Sequence, residues 1–183
     1  MSSDTQLAIG VVLTGVQNLS QGGGAERYFA DIVRAGATHA SLDLTLAADA
    51  TTLAALAKVG REIPPENVLI APSSRVQQTR WFANLATSGR FDVLHLAQAT
   101  PRHLPWLALK RFNRSSDRRT RVSININDTR IAYRPPLRQP RMDRLTLALM
   151  FRSGGVDGVM SWYKAAFNQL PFPEKRPPIL HAA

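Results

Sequence analysis

"LAIGVVLTGVQNLSQGGGAERYFADIV", Leu7 to Val33, decides the architecture because two different periodicities meet within it. Leu7 to Leu13 is a short continuous apolar run rich in β-branched residues, the pattern of a strand covered on both faces. After Gly22, Gly23 and Gly24, the apolar residues Ala25, Phe29, Ile32 and Val33 fall at helical spacing. A glycine loop before a helix N-terminus leaves unpaired N–H groups and the positive dipole end facing whatever sits in front, which describes an anion site. Three glycines make a flexible turn equally well, and the local sequence does not choose between the two.

The same alternation continues downstream. "SLDLTLA" (Ser41 to Ala47) alternates as a strand does, and "DATTLAALAKVG" (Asp49 to Gly60) starts on a capping residue and stops on glycine, as a short helix should. "NVLIA" (Asn67 to Ala71) reads as a third strand, followed by a helix over Val76 to Ala86. "FDVLHLA" (Phe91 to Ala97) is a fourth strand, with a helix over Leu104 to Phe112 that starts near Pro101. "RVSININ" (Arg121 to Asn127) is a fifth, followed by a polar loop containing Pro135, Pro136 and Pro140 and a helix over Met142 to Phe151. A strand over Val156 to Trp162, a helix over Lys164 to Leu170 and the short apolar run "PPIL" end the pattern.

Strands alternating with helices in this way build βαβ units and a sheet covered on both sides. The expected fold is α/β: a Rossmann-like three-layer α/β/α sandwich with a mostly parallel sheet, in one domain spanning residues 1–183. Ligands of such sheets bind beyond the carboxyl ends of the strands, where the strand order reverses. The positions that follow strands are Gly22 to Gly24, Gln98 to Thr100 and Asn127 to Arg134.

Composition narrows the class. The chain has 183 residues, of which 44% are hydrophobic and 20% charged, as in an ordinary globular domain able to bury a core. It has no cysteine, which excludes disulfides, thiolate metal sites and a cysteine nucleophile and favours a cytoplasmic address. The run Leu7 to Val16 does not read as a secretory signal, since Asp4 precedes it, no Lys or Arg does, and no small-residue cleavage site follows. No segment approaches the roughly 18 apolar residues of a spanning helix.

Motifs for several activities are missing. A G-x-G-x-x-G tight against the first strand, with an acidic residue ending the second, is not found. Neither a Walker A Lys-Ser/Thr pair nor a G-x-S-x-G elbow is present. His39, His95, His103 and His181 lack metal-ligand spacing.

Three stretches carry a family resemblance. "GGGAERYFADIV" resembles the G-G-A-E-R segment that opens the first helix of family 4 glycosyltransferases of the GT-B fold. "FDVLHLAQA" resembles their D-V-[VI]-H-x-H strand through Asp92 and His95. "VDGVMSWYKAAFNQL" is similar to their A-D-x-[VI]-[IV]-x-x-S segment, which leads into a helix before the chain crosses to a second domain. The order and spacing also fit, over nearly all of the chain.

The resemblance implies the N-terminal, acceptor-side half of a retaining glycosyltransferase that uses a nucleotide-sugar donor and no cofactor or metal. Its E-x7-E donor domain has no counterpart in these residues, and is expected in cis or as a separate chain. Alone, the 183 residues are expected to be inactive. By the same resemblance Gly22, Gly23 and Gly24, with Arg27, would meet the donor diphosphate. His95, Gln98, Arg130 and Arg134 would contact the acceptor, and Asn127 and Asp128 would lie at the reacting centre. For most of these a plainer structural role competes. Glu26 complements the helix dipole without touching a ligand, Arg27 has solvent as its alternative, His95 suits a core position, and Asp128 suits an Asx-turn.

The chain also departs from the family pattern. Ala97 replaces the second His of the D-V-x-H-x-H strand, and Asn127-Asp128 replaces the usual His-Asp. An amide donates hydrogen bonds but is no general base at neutral pH. In a retaining reaction whose leaving phosphate is stabilised electrostatically, that loss is tolerable.

The formal net charge of +10 is unevenly distributed, with totals of −3 over residues 1–74, +12 over 75–152 and +1 over 153–183. "KRFNRSSDRRTR" (Lys110 to Arg121) and "TRIAYRPPLRQPRMDR" (Thr129 to Arg144) hold most of the excess. Arginines mixed with Ile131, Tyr133 and Leu137 suit an anionic membrane surface on the cytoplasmic side, where each cation contributes about 1 kcal/mol, and a phosphate-bearing lipid or glycan acceptor. The alternatives are a docking subunit without activity of its own and a nucleic-acid-binding module. Against the latter, aromatic residues make up only 7% and no helix-turn-helix, RRM or zinc pattern occurs.

Overall fold

The opening apolar run forms β1 (Leu7–Leu13), and the helix behind the glycines is α1 (Gly24–Gly36). In this computed structural model, residues 6–17, 19, 24–36, 38–39, 41–98, 101–112, 120–126, 141–161 and 179–181 are described. Next come β2 (Leu42–Asp49), α2 (Ala50–Ala57), a 3-10 turn (Pro65–Asn67), β3 (Val68–Ala71) and α3 (Arg75–Thr87). They are followed by β4 (Val93–Leu96), a 3-10 turn (Pro101–His103), α4 (Leu104–Phe112) and β5 (Arg121–Asn125). The last described elements are α5 (Arg141–Arg152), β6 (Gly158–Ser161) and β7 (Ile179–His181).

The seven strands form one sheet in the order β3-β2-β1-β4-β5-β6-β7, every neighbouring pair parallel. The order reverses between β1 and β4, which places a crevice beyond the carboxyl ends of those two strands. The fold is thus the expected Rossmann-like sandwich, with a sheet that is wholly parallel.

Two apolar layers cover the sheet, and strand alternation decides which residue enters which layer. Val11 and Leu13 of β1, Leu46 and Ala48 of β2 and Ala97 pack with Phe29, Ala30 and Val33 of α1 and Leu56 of α2. Val12, Ala47, Leu94, Leu96, Val122 and Ile124 point the other way, onto Phe82 of α3, Trp106 and Leu107 of α4, and Met150 of α5. Trp106 stacks on Phe82 with ring centroids 5.7 Å apart.

The sequence reading requires three adjustments. β2 does not stop at Ala47: pairing with β1 carries it to Ala48 and pairing with β3 to Asp49. β5 stops at Asn125 rather than Asn127, and β6 starts at Gly158 rather than Val156. Ahead of β6, Val156 is buried in the core. Asp157 accepts the Val122 N–H at 2.8 Å and pairs with buried Lys110, whose Nζ also donates to Gly155 O at 3.2 Å. At Gly155 a Cβ would lie 2.4 Å from Leu107 O, so only glycine lets this loop approach the α4 backbone. The expected proline loop and the Lys164 to Leu170 helix lie outside the described residues.

Candidate functional site

The crevice at the β1–β4 break is built first from the chain leaving β1. Gly15 has φ +77°, a conformation that β-carbon sterics disfavour, and it turns the chain toward α1. Asp49, at the end of β2, holds this turn: one carboxylate oxygen accepts the Gly15 N–H at 2.7 Å while the other accepts Thr52 N–H at 2.8 Å and caps α2. The Thr52 hydroxyl accepts Val16 N–H at 3.1 Å. An acidic residue does therefore end the second strand, but its carboxylate is engaged by backbone.

The first turn of α1 meets the segment leaving β4. Gln98 Nε2 donates to Glu26 Oε1, joining the G-G-A-E-R segment to the residue after the D-V-x-H strand. Arg27 is half-buried rather than solvated, and its Nη2 donates to Leu19 O while its buried Nε has no partner. Gly24 starts the helix exposed, and a Cβ there would meet nothing within 4 Å.

His95 lies one helical turn deeper, 8% exposed, with its ring 4.8 Å from that of Phe29. Its Nδ1 is 2.8 Å from Ser123 Oγ on β5. Burial pushes its pKa down to about 4, so the imidazole is neutral near pH 7. Asn125, 3% exposed, donates from Nδ2 to Ala97 O at 3.2 Å. Asp92, the acidic residue of the same motif, is at the opposite end of the strand. Its carboxylate accepts Ala8 N–H at 3.0 Å, a purely structural bond.

Arg102, in the 3-10 turn after β4, lays its guanidinium over Gly15, where a Cβ would fall 2.2 Å from Nη1. The neighbouring His103 is buried and accepts the Trp106 indole N–H at 3.2 Å. Burial, assisted by the Arg102 charge, lowers its pKa to about 4.

Gly24, Arg27, His95 and Gln98 therefore line one region, with Glu26 between them. Gly22, Gly23, Asn127, Asp128, Arg130 and Arg134 lie outside the described residues. Sequence reasoning missed Ser123, Asn125 and Arg102. The first two had a signal, polar residues at alternate positions of an otherwise apolar strand; Arg102 had none beyond its place after β4. Among the described residues no three His, Asp or Glu side chains gather as a metal site. A separate hollow of about 420 Å³ lies between α2 and the edge strand β3, lined mainly by aliphatic residues including Leu53, Leu56, Val68 and Ile70. It is at the sheet edge, on the far side of β2 from the crevice. The chain matches no family model, no curated protein and no solved structure.

Proposed function

We propose that the chain is the acceptor-side half of a retaining GT-B glycosyltransferase of the family 4 type. It would take a sugar from a nucleotide-sugar held by a donor domain in cis or in trans. The acceptor would be a phosphate-bearing lipid or cell-envelope glycan at the cytoplasmic face of a membrane. The observation that carries this reading is the Glu26–Gln98 bond, which brings two separately recognised motif segments together at the reversal of strand order.

On this reading Gly22, Gly23 and Gly24 present backbone N–H groups to the donor diphosphate, with the α1 dipole behind them. The open space around Gly24 supports it, since packing within the chain does not demand the absence of a side chain there. Arg27 adds positive charge next to that loop. Asn127 donates a hydrogen bond to the sugar or phosphate, Asp128 orients the acceptor hydroxyl, and Arg130 and Arg134 hold the acceptor phosphate.

The test is transfer of labelled sugar from UDP- and GDP-sugars into a membrane extract, using the product of the coding sequence together with whatever follows Ala183. Transfer that falls at least tenfold in Asn127→Ala and in Asp128→Ala is expected. An absence of transfer from every donor, with the protein folded, would overturn the proposal.

A further inference from the structure

On the face of the sheet where His95 meets Phe29 of α1, the carboxyl ends of β4 and β5 carry a polar strip. His95, Ser123 and Asn125 occupy it, while Leu94, Leu96, Val122 and Ile124 fill the opposite layer. His95 pairs in register with Ser123 on the parallel neighbour, so Asn125 is its diagonal neighbour on the same face, roughly 8 Å away by strand spacing and rise. The Asn125 amide orientation is fixed because Nδ2 faces a carbonyl, Ala97 O, which leaves Oδ1 as an acceptor. That Oδ1 and His95 Nε2 are both buried without a partner. An unanswered buried polar atom costs about 1–3 kcal/mol, and one partner shared by two residues that neighbour each other on the same sheet face would answer both.

We infer that a single hydroxyl group binds between these atoms, accepting from His95 Nε2–H and donating to Asn125 Oδ1. With the His95 proton on Nε2, only a group that donates and accepts at one atom satisfies both. An ammonium has no lone pair to offer His95, and a carboxylate or phosphate oxygen has no proton for Asn125 and would repel its Oδ1. The assignment requires one tautomer, in which Ser123 donates to Nδ1 and the imidazole proton resides on Nε2. The hydroxyl comes either from an internal water or from a neutral polyhydroxy ligand such as a sugar. Glu26 and Phe29 share a face of α1, so the Glu26–Gln98 bond stands on the approach to the strip from the crevice. Water passes such a bond easily; a sugar hydroxyl requires it to open. Only the sugar source rests on the glycosyltransferase reading.

The experiment is NMR of the ¹⁵N-labelled 183-residue chain at neutral pH. It reads the His95 imidazole shifts, the water cross-relaxation of Nε2–H, and the response to glucose, galactose and mannose as probes. The Nε2–H tautomer is expected, with either a long-lived water signal at Nε2–H or a saturable sugar-induced shift. The water signal without a sugar response identifies water as the source; a sugar shift that removes the water signal identifies a ligand hydroxyl. Asn125→Leu should abolish whichever signal is present, and Ser123→Ala should release the tautomer preference even if the first variant fails to fold. An Nδ1–H tautomer in the wild type, or Nε2–H with neither signal, would overturn the inference. Sugar transfer is measured separately, so its absence would leave the hydroxyl site standing.

Discussion

Gly24 opens α1 in exposed backbone with space for a β-carbon, so the fold gains nothing from glycine there. Replacing it with alanine should leave stability unchanged or raise it by up to about 1 kcal/mol, through the smaller entropy of the unfolded chain. If the loop receives a diphosphate, the same substitution should lower sugar transfer at least tenfold. Urea denaturation and turnover on one preparation separate the two effects, and unchanged turnover would refute a ligand role for this glycine. His95 and His103 make a prediction of opposite kind. Both are neutral in the fold, with pKa values lowered from 6.5 to about 4, and in the unfolded chain both take up protons first. Their stabilisation is therefore complete above pH 6.5 and is lost as pH falls toward 4. Between pH 7.5 and 5 each should cost about 2 kcal/mol. Urea midpoints at the two pH values measure the loss, and His95→Gln should remove about half of it; an undiminished loss in that variant would exclude the imidazole as its source.

Asp49 joins three elements, since its carboxylate serves the N-terminus of α2 and the turn leaving β1 from the end of β2. Asp49→Ala should cost about 2 kcal/mol, about half for the cap and half for the Gly15 N–H bond. A loss below about 0.5 kcal/mol in urea denaturation would mean that water replaces both bonds. The capping role was legible, because Asp before an apolar-periodic run is a helix start wherever it occurs. That Asp49 also ends β2 was not: two alanines carry little strand preference, and pairing on both sides imposes the extension. The same distinction separates the remaining elements. Strands with continuous apolar runs and helices with clear spacing were readable one by one, and their alternation implied the layers. The strip formed by His95, Ser123 and Asn125 depends on β5 lying beside β4 in one particular register, and the seat of Arg102 over Gly15 depends on β1 lying beside β4. Neither neighbour relation is written in any local stretch of sequence.

Over the whole molecule, the charge excess and the exposed leucines bear on the membrane part of the proposal. No helix among the described residues is long and apolar enough to cross a membrane. The +12 excess over residues 75–152 spans α5, where Leu145 and Leu149 are 50% and 44% exposed. If the protein works at a membrane as proposed, this basic excess and these leucines would meet an anionic lipid surface, on which each Arg or Lys contributes about 1 kcal/mol within a Debye length. The chain should cosediment with phosphatidylglycerol vesicles but not with neutral phosphatidylcholine ones, and the binding should weaken steeply as salt rises. Two triple variants compare the basic segments: Arg114, Arg118 and Arg119 changed to Ser, or Arg130, Arg134 and Arg138 changed likewise. Loss of three contacts corresponds to roughly a hundredfold weaker binding, and the variant showing it identifies the segment against the lipid. Equal loss in both would mean that the net field, rather than one surface, holds the protein. Duplex DNA provides the control, because a groove-binding module responds to salt in the same direction. Tighter binding to DNA than to anionic vesicles at equal salt would remove the membrane from the proposal and leave a nucleic acid as the partner of the basic segments.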